Sequence, residues 1–71
     1  MESGAEIRRL RQAQGLPIPV VAARAACSPA TLLYWEKWQV APKTRAIRER
    51  IAAVLGVDLA SIESEAQGVR T

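Results

Sequence analysis

Apolar residues recur along this chain at the three-and-four spacing of helices, and Gly and Pro divide them into short segments. Ile7 and Leu10 mark a first helix. Ser3 and Glu6 begin it at capping-box spacing, where hydroxyl and carboxylate can each satisfy an orphan N–H, and Gly15 supplies a left-handed stop. Pro17 and Pro19 are tolerated only in a first turn or just before it, so Val20 to Ala26 read as a short second helix. Two adjacent β-branched residues there would suit a strand, but the alanines and the lack of alternation favour helix. Ser28 as N-cap and Pro29 at the first helical position open a third helix, which carries Thr31 to Lys37 and runs out before Pro42. Only a few residues around Ala26-Cys27-Ser28 separate helices two and three, the length of a tight turn between crossed helices. A fourth helix starts near Thr44, with Ile47, Ile51, Val54 and Leu55 on one stripe, and Gly56 ends it. A fifth follows Asp58, with Leu59 and Ile62 facing inward. The pattern predicts an all-α, compact five-helix domain over 1–66 and a flexible polar tail over 67–71.

Composition narrows the chemistry. The chain has 71 residues, enough for one modest core, and domains of this size usually need a staple, a metal or a partner subunit. The lone Cys27 forms no internal disulfide, and without His the common zinc patterns are absent, so tight helix packing or a partner subunit is the expected source of extra stability. With no His, one Asp and no glycine-rich phosphate loop, no catalytic constellation is evident; no enzyme activity, metal, cofactor or small-molecule ligand is expected. No apolar run approaches the roughly 20 residues of a membrane span. No basic start followed by an apolar run marks a signal peptide, and a single free cysteine suits a reducing compartment, so a cytoplasmic location is expected. Charge is uneven: nine Lys/Arg face four acids through Gly56, and one Arg faces three acids beyond it. A basic folded part favours polyanionic partners.

The ordered set Ile7-Arg-Arg-Leu-Arg11, Gly15-Leu16, Val21-Ala22, Ser28 through Glu36, Pro42 and Leu55-Gly56-Val57 resembles the phage repressor/Cro-type (XRE-like) helix-turn-helix DNA-binding family. The resemblance covers about residues 4 to 63. It implies a lambda-repressor-like fold in which helices two and three form the helix-turn-helix. Three positions depart from the family's pattern: Ala26 and Trp38 stand where Gly is usual, and Ile18 where a polar residue such as Gln is common. Ser28-Pro-Ala-Thr-Leu32 followed by Trp35-Glu36 is also similar to the MerR-type winged helix-turn-helix, which places that motif at its very N-terminus without a preceding capped helix.

Arg11 lies four residues after Ile7, and Glu36 four after Leu32, so each charge sits about 40° from an inward-facing residue. Two partly buried opposite charges on neighbouring helices should pair, since either alone would be costly. The resemblance implies the same bridge between helices one and three, a scaffold role. It also implies that Ala30, Leu33, Tyr34 and Lys37 face the major groove of double-stranded DNA. This set lacks the Arg, Asn and Gln that contact base edges bidentately; Ala30 and Leu33 would meet thymine methyls, Tyr34 would donate a hydrogen bond, and Lys37 would reach a guanine or a phosphate. Ser28 and Thr31 would bind phosphate. The same apolar face is open to a different reading, as a surface that packs against another protein.

Lys43 and Arg45 flank Thr44 at the start of helix four, where free N–H groups and two cations make an anion site suited to a DNA phosphate, with Gln39 in the same loop. The alternative is that these long side chains extend into water. Arg8, Arg9, Arg48 and Arg50 read as solvated charges on outer faces, and Cys27 as a small turn residue without a redox role. Trp38 would either cover the end of helix three or touch the sugar-phosphate backbone. The expectation is a dimeric operator-binding regulator, a repressor, whose dimer surface includes Val57, Leu59 and Ile62. Its rival is an adaptor or antirepressor that binds a protein partner through helix three.

Overall fold

The computed structural model describes residues 3–66, and among them every element is helical. The helices are α1 (Ser3–Ala13), α2 (Ile18–Arg24), α3 (Pro29–Trp38), α4 (Arg45–Val54) and α5 (Leu59–Ala66). The expected tail over 67–71 lies outside the described residues. α1 packs on α3 and α5, α2 on α3 and α4, and α4 on α5. One core results, built from Ile7, Val21, Ala25, Leu32, Trp35, Ile51, Leu55, Leu59 and Ile62. Each helix contributes one stripe to it, which is how short helices with little stability of their own are held.

The helix ends share one backbone solution. After α1, α2 and α4 the chain turns through a left-handed residue, Gly15 (φ 68°), Ala26 (φ 58°) and Gly56 (φ 79°). The next N–H then closes back: Leu16 donates to Arg11, Cys27 to Ala22 and Val57 to Ala52, at 3.0 to 3.1 Å. This is the Schellman closure, which satisfies carbonyls that the helix leaves open. Gly adopts the conformation without steric cost, so Gly15 and Gly56 are in keeping with it. Ala26 is the exception: the helix-turn-helix corner has a Cβ where the backbone prefers none. α3 also ends on a left-handed residue, Gln39 (φ 61°), which leaves Trp38 within the helix.

At Ser3 the structure departs from the expected capping box. Ser3 is already helical, and its hydroxyl accepts the Trp35 indole N–H at 2.8 Å. The Glu6 carboxylate is engaged by Arg9 of the same helix. That hydrogen bond holds the Glu6 carboxyl below its ordinary pKa, while burial pushes it the other way. A buried tryptophan N–H needs a partner, and that demand outweighs the local cap. α2 likewise starts at Ile18 and ends at Arg24, earlier at both ends than the apolar run suggested, because Pro19 fits inside the first turn and Ala25 and Ala26 form the corner.

α1 and α3 approach closely at Gly4. A Cβ there would lie 1.9 Å from the Trp35 carbonyl oxygen, a backbone atom with no freedom to move aside. Gly4→Ala should therefore destabilise the domain by about 1–3 kcal/mol, as overpacking does. Ala26→Gly should instead stabilise it, by roughly 0.5–1 kcal/mol, since relief of left-handed strain exceeds the added chain entropy of glycine. Urea unfolding of the two variants checks both signs.

Candidate nucleic-acid interface

α3 is apolar on two faces. Its inner stripe is Leu32, Trp35 and Glu36, all buried. Its outer stripe is Ala30, Leu33, Tyr34, Lys37 and Trp38, all exposed and spaced three and four residues apart. The helix is set at its start by Ser28, whose hydroxyl accepts the Thr31 N–H at 3.3 Å and lies 3.0 Å from the Thr31 hydroxyl, with Pro29 preset for the first turn. Ser28 and Thr31, both expected at phosphate, are thus engaged with each other at the corner of the motif.

The orientation of α3 is fixed by polar contacts to α1. Arg11 donates Nε to Glu36 Oε2 at 2.7 Å and Nη2 to Oε1 at 3.0 Å, a bidentate pair between helices. Its remaining Nη1 reaches the Leu16 carbonyl at 2.9 Å, so the same guanidinium also holds the approach to α2. The two side chains are only 12% and 4% exposed, so neither charge is left to water. Fork-to-carboxylate geometry of this kind gives direction as well as attraction.

Gln39, expected near DNA, makes two hydrogen bonds within the subunit. Its Oε1 accepts the Gly4 N–H at 2.9 Å and its Nε2 donates to the Glu36 carbonyl at 3.4 Å, so the side chain clasps the start of α1 to the end of α3. A left-handed C-cap aims the side chain back across its own helix, which spacing alone does not reveal. Trp38 is 55% exposed and touches two residues of its own helix. Its ring lies against Tyr34, tilted by 38° with centroids 5.2 Å apart, and the Lys37 ammonium lies 5.2 Å from its centre. The i,i+4 spacing of two aromatics was the available signal for that pair.

At the start of α4, Thr44 is the N-cap residue and its side chain makes no cap bond. Lys43 and Thr44 are exposed, and Arg45 pairs with Glu49 one turn on, at 3.0 Å and largely in solvent. The structure therefore brings Lys43, Thr44 and Arg45 together at one corner, with Arg45 already partnered.

Several arginines read as solvated charges are structural. Arg48 donates to the carbonyls of Pro42 at 2.6 Å and Lys43 at 3.1 Å, and lies 3.6 Å from the Glu63 carboxylate. It holds the α3–α4 loop in shape. Arg50 donates to the Ala25 carbonyl at 2.7 Å and so caps the end of α2 from α4. Arg9 is occupied by Glu6. The helix period puts Arg9 and Arg50 on outer faces correctly and Arg48 too far out, because long side chains reach carbonyls that only the assembled fold brings near. Leu59 and Ile62, expected at a dimer surface, are 5% and 1% exposed inside their own subunit, and Val57 is partly buried against the same core. Burial also pushes the Cys27 thiol pKa up, partly offset by the Arg50 charge, so the thiolate is disfavoured.

Two short helices packed on one another and joined by a four-residue corner, with the second exposed along one side, form a helix-turn-helix. A family model described as "Helix-turn-helix domain" matches residues 2–64, nearly the whole chain. The protein belongs to that family, in agreement with its repressor/Cro-type resemblance. No curated protein and no solved structure matches it. Among the described residues, no helix is long and apolar enough to cross a membrane.

Removing one partner of the Arg11–Glu36 pair leaves the other charge buried. Glu36→Leu should cost about 3–5 kcal/mol, and adding Arg11→Met should recover part of the loss, because the double variant buries no lone charge. Denaturant unfolding of both single variants and the double variant measures the coupling.

Proposed function

We propose that this protein is a sequence-specific double-stranded DNA-binding transcriptional regulator, a cytoplasmic repressor that acts as a homodimer with α3 in the major groove. The observation that carries this reading is the outer face of α3. It is exposed, and the only carboxylate between Leu16 and Lys43 is Glu36, which is buried and neutralised by Arg11. The same stretch carries Arg24, Lys37 and Lys43, so its net field attracts a polyanion. Ala30, Leu33, Tyr34 and Lys37 meet base edges, while Ser28, Thr31 and Thr44 stand near phosphates. Lys43 and Arg45, with the first N–H groups of α4, hold one phosphate. Arg45 exchanges Glu49 for that phosphate at little cost, since exposed ion pairs contribute about 0–1 kcal/mol.

With Leu59 and Ile62 largely spent in the core, the dimer contact falls to the outer side of the α4–α5 junction, at a shallow hollow lined by Ala53, Val57, Leu59 and Ala60 together with Arg45, Glu49 and Asp58. Two copies joined there present their recognition helices to half-sites about 34 Å apart. The exposed Leu33, Tyr34 and Trp38 favour a second reading, an adaptor or antirepressor that binds a protein through α3.

Fluorescence anisotropy with a random-sequence duplex at low salt separates the two. The regulator binds it, with affinity that falls steeply as salt rises. Lys37→Ala and Lys43→Ala should each reduce the slope of log K against log salt by about one. Absence of binding to any duplex rejects the regulator and leaves the adaptor. A selected consensus with two-fold symmetry supports the dimer.

A further inference from the structure

The outer stripe of α3 has a composition that the DNA-binding reading does not itself explain. A helix that is apolar all round is normally buried all round. Here the inner stripe is buried, whereas Leu33, Tyr34 and Trp38 are 39%, 47% and 55% exposed. The stripe contains no Arg, Asn or Gln, so Lys37 is its one side chain able to contact a base edge bidentately. Its one charged member, Lys37, lies over the Trp38 ring. Trp38 in turn lies against Tyr34, the two rings tilted at 38° with centroids 5.2 Å apart. Besides Lys37, what the stripe offers a groove floor is the methyl of Ala30, the isobutyl group of Leu33 and the Tyr34 ring.

Resting on the regulator reading above, we infer that α3 reads the C5-methyl groups of pyrimidines. In the major groove the methyl group is the one apolar feature that distinguishes one base pair from another. An apolar stripe that carries Lys37, with Arg8 lining the same hollow as Leu33, fits a surface that combines methyl groups with phosphates. Thymine carries this group, and so does 5-methylcytosine. The stripe therefore selects thymine-bearing half-sites and responds to cytosine methylation at the same positions. Leu33 is the main specificity residue. Trp38 is a positioning residue, acting through Tyr34 and Lys37.

The test uses the full chain and a duplex selected by it from a random pool. Each thymine is replaced singly by deoxyuridine, which removes the methyl and keeps every hydrogen-bonding group. Loss of one buried methyl should weaken binding about fourfold at each position under the stripe. Leu33→Ala, a change at an exposed position, should abolish the uracil penalty at one or more of these positions, which separates direct contact from any effect of the methyl on duplex shape. A 5-methylcytosine·guanine pair placed there should bind more tightly than its unmethylated counterpart.

Undiminished affinity for a uracil duplex overturns the inference and leaves the regulator reading standing. So does a penalty that is unchanged in Leu33→Ala. Failure to bind any duplex at low salt removes the regulator reading itself. If a second copy covers the stripe instead, Leu33→Ala and Trp38→Ala will dissociate the dimer in sedimentation, and the uracil penalty will be absent; that result also overturns methyl reading.

Discussion

The buried pair between Arg11 and Glu36 is the constraint on which the rest of the arrangement depends. It joins α1 to α3 through two parallel hydrogen bonds, and Arg11 holds the Leu16 carbonyl with its remaining group. One guanidinium thus fixes the direction of α3 and the chain's approach to α2. Apolar contacts between helices would allow rotation and sliding among similar packings, whereas a fork facing a carboxylate accepts few. The neighbouring contacts act in the same direction: Gly4 lets the two helices touch, Ser3 receives the Trp35 indole, and Gln39 clasps the far end. Together they make α1 a splint for α3.

A splinted helix can leave one side unpacked. In a domain this small, a helix exposing Leu33, Tyr34 and Trp38 would otherwise be drawn into the core or covered by another element. The seam with α1 uses Leu32, Trp35 and Glu36, so the outer stripe stays free of structural duties and open to a ligand. α4 supports the motif from the other side. Arg50 reaches across to the Ala25 carbonyl, and Arg48 shapes the loop that carries Lys43. Cations that look like decoration in the sequence therefore hold the corner of the helix-turn-helix and the loop that follows it.

The corner itself is strained. α1 and α4 end on Gly15 and Gly56, residues that enter the left-handed region readily, while α2 ends through Ala26 and α3 through Gln39. The side chains at the last two are kept for different reasons. Gln39 uses its amide to bind Gly4. For Ala26, which is exposed, nothing in the structure explains the methyl.

The five helices, their order, the inward Leu32 and Ile51, and the exposed Ala30, Leu33, Tyr34 and Lys37 were legible from periodicity, capping residues and breakers. These are local matters: a helix has one period, and Pro and Gly act on the backbone where they stand. The Arg11–Glu36 contact was legible for a related reason, since two opposite charges beside inward-facing positions have few alternatives to each other. Only the assembled fold decided where long polar side chains end. Ser3 serves Trp35 instead of capping, Gln39 serves Gly4, and Arg48 and Arg50 serve carbonyls 5 to 25 residues away in sequence. It also decided that Leu59 and Ile62 are used within the subunit. The physical reason is reach: an arginine or glutamine spans several ångströms through rotatable bonds, so its partner depends on which backbone groups the packing brings within that radius and leaves without another donor.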